Sequence, residues 1–191
     1  MDKEYIKITF PDGSKQDFKH GTTGYDIAKS ISPSLLKKAI AIEIDGLEQD
    51  LCENISSDAN ISILTLNDNK GLSIMRHTLT AQVLAKALKN LYPTVKLAIG
   101  PVIENGFYYD FDRKEPFTEK DLGTIEKKMK EIVNRDEKTS FKVMSREDAI
   151  KLFSDKGENY KVEIIRDLPE SEELKVYYHC LLYTSDAADE I

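Results

Sequence analysis

Apolar and polar residues alternate through YIKITF at residues 5–10, the period of a strand with one buried face. PDGS follows at residues 11–14, where proline pre-sets a turn and glycine tolerates a positive φ. SKQDF then returns as a second strand. Thr22 or Thr23 can cap a helix through YDIAKSI, whose Tyr25, Ile27, Ala28 and Ile31 supply an apolar face. Pro33 sits where a first helical turn tolerates it, ahead of SLLKKA. IAIEIDG, residues 40–46, reads as a strand ending in an Asp-Gly turn, and ANISILTL, residues 59–66, as the last strand of this part. Strands, a helix, then more strands predict an α+β domain with a sheet packed on a helix.

NDNKG, residues 67–71, is a polar break with a terminal glycine and reads as a linker. RHTLTAQVLAKALKNLYP, residues 76–93, follows as an amphipathic helix. Leu84, Leu88 and Leu91 lie along one face, with Ala81 and His77 continuing the line backwards, and Pro93 ends it. VKLAIGPVIENGFYYDFD, residues 95–112, predicts a strand, a Gly-Pro break, a hairpin turned at Asn105-Gly106, and an aromatic strand. Two further helices are expected, over residues 117–133 with Thr118 and Asp121 at capping-box spacing, and over SREDAIKLF with Ser145 as its cap. YKVEIIRDL, residues 160–168, is rich in β-branched residues and reads as a strand.

The 191 residues carry 34 acids against 27 bases, a net charge of −7, which speaks against a general nucleic-acid binder and leaves room for a local RNA-binding face. No apolar run approaches the roughly eighteen residues of a membrane span, and MDKEYIKITF has no signal-peptide character, so a cytoplasmic protein is expected. Cys52 and Cys180 have neither CxxC nor Cys/His spacing and read as unrelated thiols, with no metal site. His20 falls in a polar turn. The many lysines and glutamates of the second long helix read as a solvated face.

The segment ITFPDGS, the helix after it and the closing strand near residue 65 resemble a TGS domain of β-grasp form. RHTLTAQVLAKALKNLYP, LAIGPVIENGFYYDFD and GENYKVEIIRDLP, in that order, resemble the second N-terminal domain of bacterial threonyl-tRNA synthetases. The resemblance implies a TGS-like β-grasp domain over residues 1–66, a linker over 67–71 and an editing-type α+β domain, incomplete, over 72–179. It implies a parent enzyme that joins threonine to its tRNA at the expense of ATP and hydrolyses serine wrongly attached. A synthetic site discriminates poorly against an analogue lacking one methyl, which loses only about 1–3 kcal/mol. ATP, Mg and Zn would be bound by a catalytic core outside this chain, which itself holds no cofactor. The partner implied is tRNA(Thr), with neither membrane nor DNA, and the parent would be a homodimer through that core.

Such an editing site has a histidine pair spaced HxxxH, a lysine after a tyrosine, and a later CxxxH. Here His77 is present but Ala81 stands four residues on, and the distance from His77 to Pro93 is one residue longer than the family pattern. Counting back from LYP puts Thr78 and Gln82 at the pair positions; counting forward from GLSIMRH keeps His77 in the first. Thr78 and Gln82 share a helical face; His77 and Gln82 do not, standing about 140° apart at 3.6 residues per turn. Glutamine orients water but does not take up a proton at neutral pH. Lys161 matches the family lysine and could hold the terminal adenosine or orient water. The candidate site is therefore His77, Thr78, Gln82 and Lys161, a degenerate set, and the chain is expected to be catalytically inactive by itself. Residues 180–191, CLLYTSDAADEI, match nothing in the family and can be encoded by a transposon-end sequencing adapter, so they are expected to be a non-native tail. The alternative reading is a TGS-containing tRNA-binding or regulatory module without catalysis; a free-standing editing hydrolase is disfavoured by the absent CxxxH.

Overall fold

The computed structural model describes residues 4–137, 139–170, 174–179 and 182–185. The chain forms two compact units, Met1–Met75 and Arg76–Ile191.

In the first unit β1 (Tyr5–Thr9) and β2 (Lys15–Lys19) pair antiparallel from Tyr5↔Lys19 to Thr9↔Lys15. The turn between them closes as expected. Phe10 N donates to Ser14 O at 2.9 Å, Asp12 accepts from the Ser14 amide at 2.9 Å, and Gly13 takes φ +79°. After the short β3 (Thr22–Thr23) comes α1 (Gly24–Ile31), capped by Thr23 and Asp26 in a reciprocal capping box. Ser32 caps α2 (Pro33–Lys38), with Pro33 in its first turn. β4 (Ala39–Ile44) and β5 (Leu47–Gln49) turn through Asp45 and Gly46, both at positive φ, the conformation that matches the twist of a two-residue hairpin. β6 (Asn54–Ile55) pairs with β3, and β7 (Ala59–Thr65) lies between β1, parallel to it, and β4, antiparallel. The five-stranded order β2-β1-β7-β4-β5 is mixed, and Ile6, Ile8, Ile27, Ile42, Ile55 and Ile61 form the core under α1. This is the predicted α+β domain in β-grasp form.

The expected linker is not a linker throughout. α3 (Asn69–Thr78) already includes Asn69 and Gly71. Asp68 accepts from the amide and hydroxyl of Thr65 at 2.8 and 2.9 Å, and a Cβ on Gly71 would lie 2.1 Å from Thr65 O. The glycine that looked like a chain break is instead what lets the helix start hard against the end of β7.

The second unit departs from the sequence reading in its first helix. A π-helical segment, Leu79–Leu84, interrupts the helix between α3 and α4 (Ala85–Leu91). β8 (Lys96–Leu97), β9 (Val102–Ile103), β10 (Gly106–Phe107) and β11 (Phe111–Asp112) form two short ribbons, β9 with β10 and β8 with β11. The hairpin is there, but Gly106 pairs with Ile103, so the turn is Glu104-Asn105 and needs no positive φ. α5 (Glu119–Asn134) has the Thr118/Asp121 capping box. β12 (Thr139–Met144), α6 (Arg146–Asp155), α7 (Asn159–Asp167), β13 (Leu174–His179) and β14 (Leu182–Ser185) complete the order. The sheet is β12-β13-β14, antiparallel throughout.

The strand expected over residues 160–168 is the helix α7. Its buried positions, Lys161, Val162 and Ile165, recur at helical and not alternating spacing. Val162 and Ile165 join Ala149, Phe153, Leu174 and Val176 in one core, with the face of α7 packed beside α6. Tertiary packing outweighs the β-branched composition. A second core, Ala85, Leu88, Val95, Leu97 and Ile125, sits between α4, α5 and the β8–β11 ribbon. Of the expected tail, residues 180, 181 and 186–191 lie outside the described residues, while the backbone of residues 182–185 forms β14 on β13.

Candidate functional site

Helix α3 brings His77, half-buried, and Thr78, exposed, to the start of the π segment. Thr80, Ala81 and Gln82 within it are buried, Gln82 at 7% exposure. The π hydrogen bonding is explicit at its end, where Ala85 N donates to Thr80 O, five residues back, as well as to Gln82 O. Thr80 donates its hydroxyl to Arg76 O at 2.8 Å, which satisfies the hydroxyl in a buried place.

The segment IGPVIENGFYYD folds against this helix. The Arg76 guanidinium donates to Glu104 O at 2.6 Å, holding the hairpin tip. Tyr108 N donates to Pro101 O at 3.0 Å and Asp110 N to Ile99 O at 2.8 Å, which extends the two ribbons into one. Gly100 is required by close approach: a Cβ there would lie 2.8 Å from the Tyr109 ring and 2.9 Å from the Thr80 methyl. The ribbon thus seats directly on the π segment.

Its opposite end meets α7. Helix α6 stops at Gly157, which takes φ +68° and lets the chain reverse. Lys96 Nζ donates to Gly157 O at 2.7 Å, and Lys89 pairs with Glu158 while donating to Val95 O at 2.7 Å. Tyr160 donates to Asp112 at 3.3 Å, and the negative Asp112 pushes the Tyr160 phenol upward. These contacts hold the first turn of α7, and Lys161 in it is fully buried. An exposed lysine at a strand start is the opposite of what is found. A buried ammonium needs polar company, so its burial is a specific arrangement and not a solvated surface charge.

A rigid corner braces the ribbon. Tyr92 donates to Asp121 at 2.7 Å, and the Arg113 guanidinium lies 4.2 Å over the Tyr92 ring and 4.7 Å over that of Phe117. Asp121, which also accepts from the hydroxyl and amide of Thr118, is held down to about 2.

The four candidate residues therefore fall on two supports. His77, Thr78 and Gln82 share the interrupted helix, Lys161 stands on α7, and the ribbon spans between them. The 140° separation expected for His77 and Gln82 assumed an unbroken α-helix, and the π segment removes that assumption. Arg76, Thr80 and Gly100 were not singled out in the sequence; a small residue before proline was the only signal for Gly100. No cluster of three His, Cys, Asp or Glu side chains able to hold a metal occurs among the described residues, and no described helix is long and apolar enough to cross a membrane.

Residues 6–65 match the TGS domain family. The threonine–tRNA ligase of Rhizobium rhizogenes is 51% identical over 173 residues, 91% of this chain and 26% of that protein. The Agrobacterium fabrum ligase is 51% identical over 175 residues, and that of Bartonella bacilliformis 50% over 173, again 26% of each. The chain spans about a quarter of the length of these curated relatives. It carries a TGS domain and is homologous to the N-terminal region of threonine–tRNA ligases.

Proposed function

We propose that this chain is the tRNA-handling N-terminal part of a threonine–tRNA ligase, its second unit built on the plan of a site that hydrolyses a mischarged seryl ester. The observation that carries the reading is identity of about one half to threonine–tRNA ligases along nine-tenths of the chain, running past the TGS domain into the second unit. In this reading the division is a TGS domain, the segment near residue 70, and an editing-type unit. Threonine attachment, with its ATP, Mg and Zn, belongs to the remaining three-quarters or so of such a ligase, as does homodimer formation. The cytoplasm is the setting, as translation requires.

The chemistry asked of the second unit is addition of water to the ester carbonyl and departure of the ribose oxygen with a proton. His77 brings an imidazole, a side chain suited to proton exchange near neutrality. Gln82 orients water through its carboxamide but takes no proton. Lys161 holds the adenosine end or orients water from α7. Thr78 is exposed and secondary. With glutamine in place of a second imidazole, deacylation by the chain alone is expected to be weak, and aminoacylation absent.

The test is a paired assay on the purified chain. Seryl-tRNA(Thr) and threonyl-tRNA(Thr) are followed for ester loss, and tRNA(Thr) binding is measured by filter retention. Binding with slow, serine-selective ester loss supports the proposal. Binding without any ester loss moves the assignment to the second reading, a TGS-containing module that contacts tRNA without catalysis, which the replacement at Gln82 favours. Absence of binding removes both.

A further inference from the structure

We infer that the outward face of β12 and β13 is a seat for an unpaired RNA strand, with Phe141 and Tyr177 stacking against bases and Lys175 meeting the phosphates beside them. Successive side chains on a strand point to opposite faces, and residues directly opposed across a ladder share one. Leu174 and Val176 of β13 are buried in the core with α6 and α7, and Met144, opposite Leu174, packs against that core. Phe141, opposite Tyr177, and Val143, opposite Lys175, therefore lie on the other face. The two rings stand 5.6 Å apart at a tilt of 42°, and Lys175 Nζ lies 5.2 Å from the centre of the Phe141 ring. Val143 is 47% exposed, and Thr139 is exposed at the start of the same line along β12.

Charge selects the occupant. The chain carries −7, yet β12 and β13 hold Lys142 and Lys175 and no aspartate or glutamate. Two acid-free strands in an acidic chain favour an anionic partner over a basic or neutral one. Aromatic side chains on a sheet take bases that are free of their own stack, whereas the bases of a duplex already cover one another. A ring pair with an ammonium beside it therefore matches a single strand, ring for base and lysine for phosphate. An acidic peptide would use the lysines and leave the rings idle. RNA as the source rests on the function proposed above, in which the chain handles tRNA; the layout of the face does not. None of His77, Thr78, Gln82 or Lys161 lies on these strands, so the face is separate from the groups named for the ester.

Photocrosslinking of the full, unaltered chain to an oligo(U) strand carrying thiouridine is the first test. Adducts are expected on Phe141 or Tyr177; adducts confined to other residues, or none, overturn the inference. Affinity for labelled oligo(U) is then read by fluorescence anisotropy. Phe141→Leu and Tyr177→Leu keep apolar bulk and remove a stacking ring, and each is expected to weaken binding about five-fold or more, the loss of one stacked base. Tyr108→Leu removes an exposed ring from the ribbon and is expected to weaken it by clearly less; an equal loss overturns the inference. Lys175→Gln is expected to weaken binding and flatten its salt dependence, and an unchanged salt dependence overturns it. The adducts and Lys175→Gln decide where a leucine variant does not fold. Duplex RNA and polyglutamate are expected to compete poorly; equal competition from either overturns it. Retention of tRNA(Thr) and seryl-ester loss are read on the same samples. Their absence with oligo(U) held at Phe141 and Tyr177 removes the proposed function and leaves the face standing; ester loss with no adduct on the face does the reverse.

Discussion

Gly100→Ala tests whether the ribbon truly seats on the π segment. The backbone at Gly100 is not in the left-handed region, so the cost of alanine there is worked from packing. The new methyl would lie 2.8 Å from Tyr109 Cδ2, 2.9 Å from Thr80 Cγ2 and 3.1 Å from Tyr108 O, where ordinary contact begins at 3.4 Å. The Tyr109 ring must therefore retreat by about 0.6 Å and the Thr80 methyl by about 0.5 Å. Neither moves freely. The Tyr109 ring centroid lies 4.8 Å from that of Phe111, and Thr80 is buried and bonded to Arg76 O. Overpacking of this kind costs about 1–3 kcal/mol. Reduced freedom of the unfolded chain returns about 0.4–1 kcal/mol. The net loss is about 1–2 kcal/mol, a fall in Tm of roughly 4–8 °C if the second unit melts as a domain of its size.

The internal control is Gly123→Ala. Gly123 lies within α5, exposed, and a methyl placed there would meet nothing within 4 Å. Alanine there is expected to stabilise by about 0.8–1 kcal/mol from helix propensity alone. Urea unfolding followed by circular dichroism separates the two. A neutral or stabilising Gly100→Ala beside a stabilising Gly123→Ala would falsify the seating of the ribbon on Thr80, and with it the geometry assigned to the site.

Phe153→Ala removes a fully buried ring from the core shared by α6, α7 and β13, and is expected to cost about 3–5 kcal/mol, read as loss of the cooperative transition of the second unit. Asp121 is held near 2 chiefly by the Thr118 hydroxyl and then by the Tyr92 hydroxyl, whereas an unfolded aspartate protonates near pH 4. Its folded carboxyl is depressed, so its contribution is complete above about pH 4 and is lost as pH falls toward 2; Tyr92→Phe should make unfolding less steeply acid-dependent in that window, and an unchanged pH profile would count against the Tyr92–Asp121 bond. Lys161→Ala leaves a cavity where a fully buried side chain stood and removes its amine, whereas Lys161→Met keeps the stem. If Lys161 handles the ester, Met restores stability relative to Ala without restoring seryl-ester loss; recovery of both by Met assigns it to packing.

What could be read ahead of the structure divides by the range of the interactions involved. In the first unit the signals are local. Thr23 and Asp26 close a capping box, Asp45-Gly46 supplies two positive φ values, and the alternation of YIKITF places Ile6 and Ile8 inward. These elements formed where expected because each carries its own reason. In the second unit the decisive reasons lie elsewhere in the chain. Val162 and Ile165 read as strand residues until α6 and β13 give them a helical face to fill. Asn105-Gly106 reads as a hairpin turn until pairing with Ile103 moves Gly106 into the strand. The candidate site shows the same division in one helix. His77, Gln82 and Lys161 could be named from the sequence, but their phase could not, because 3.6-residue periodicity was assumed through Leu79–Leu84. The one legible trace was arithmetic: against the family pattern that the resemblance implies, His77 stands one residue further from Pro93. A surplus residue in a buried helix must either rotate everything beyond it by about 100° or be taken up within a turn. Rotation would have carried Leu84, Leu88 and Leu91 out of the core they share with Val95 and Leu97. The π turn is the outcome that keeps Leu88 buried and Leu84 and Leu91 packed against that core, so packing on the far side fixes the helix beyond Leu84.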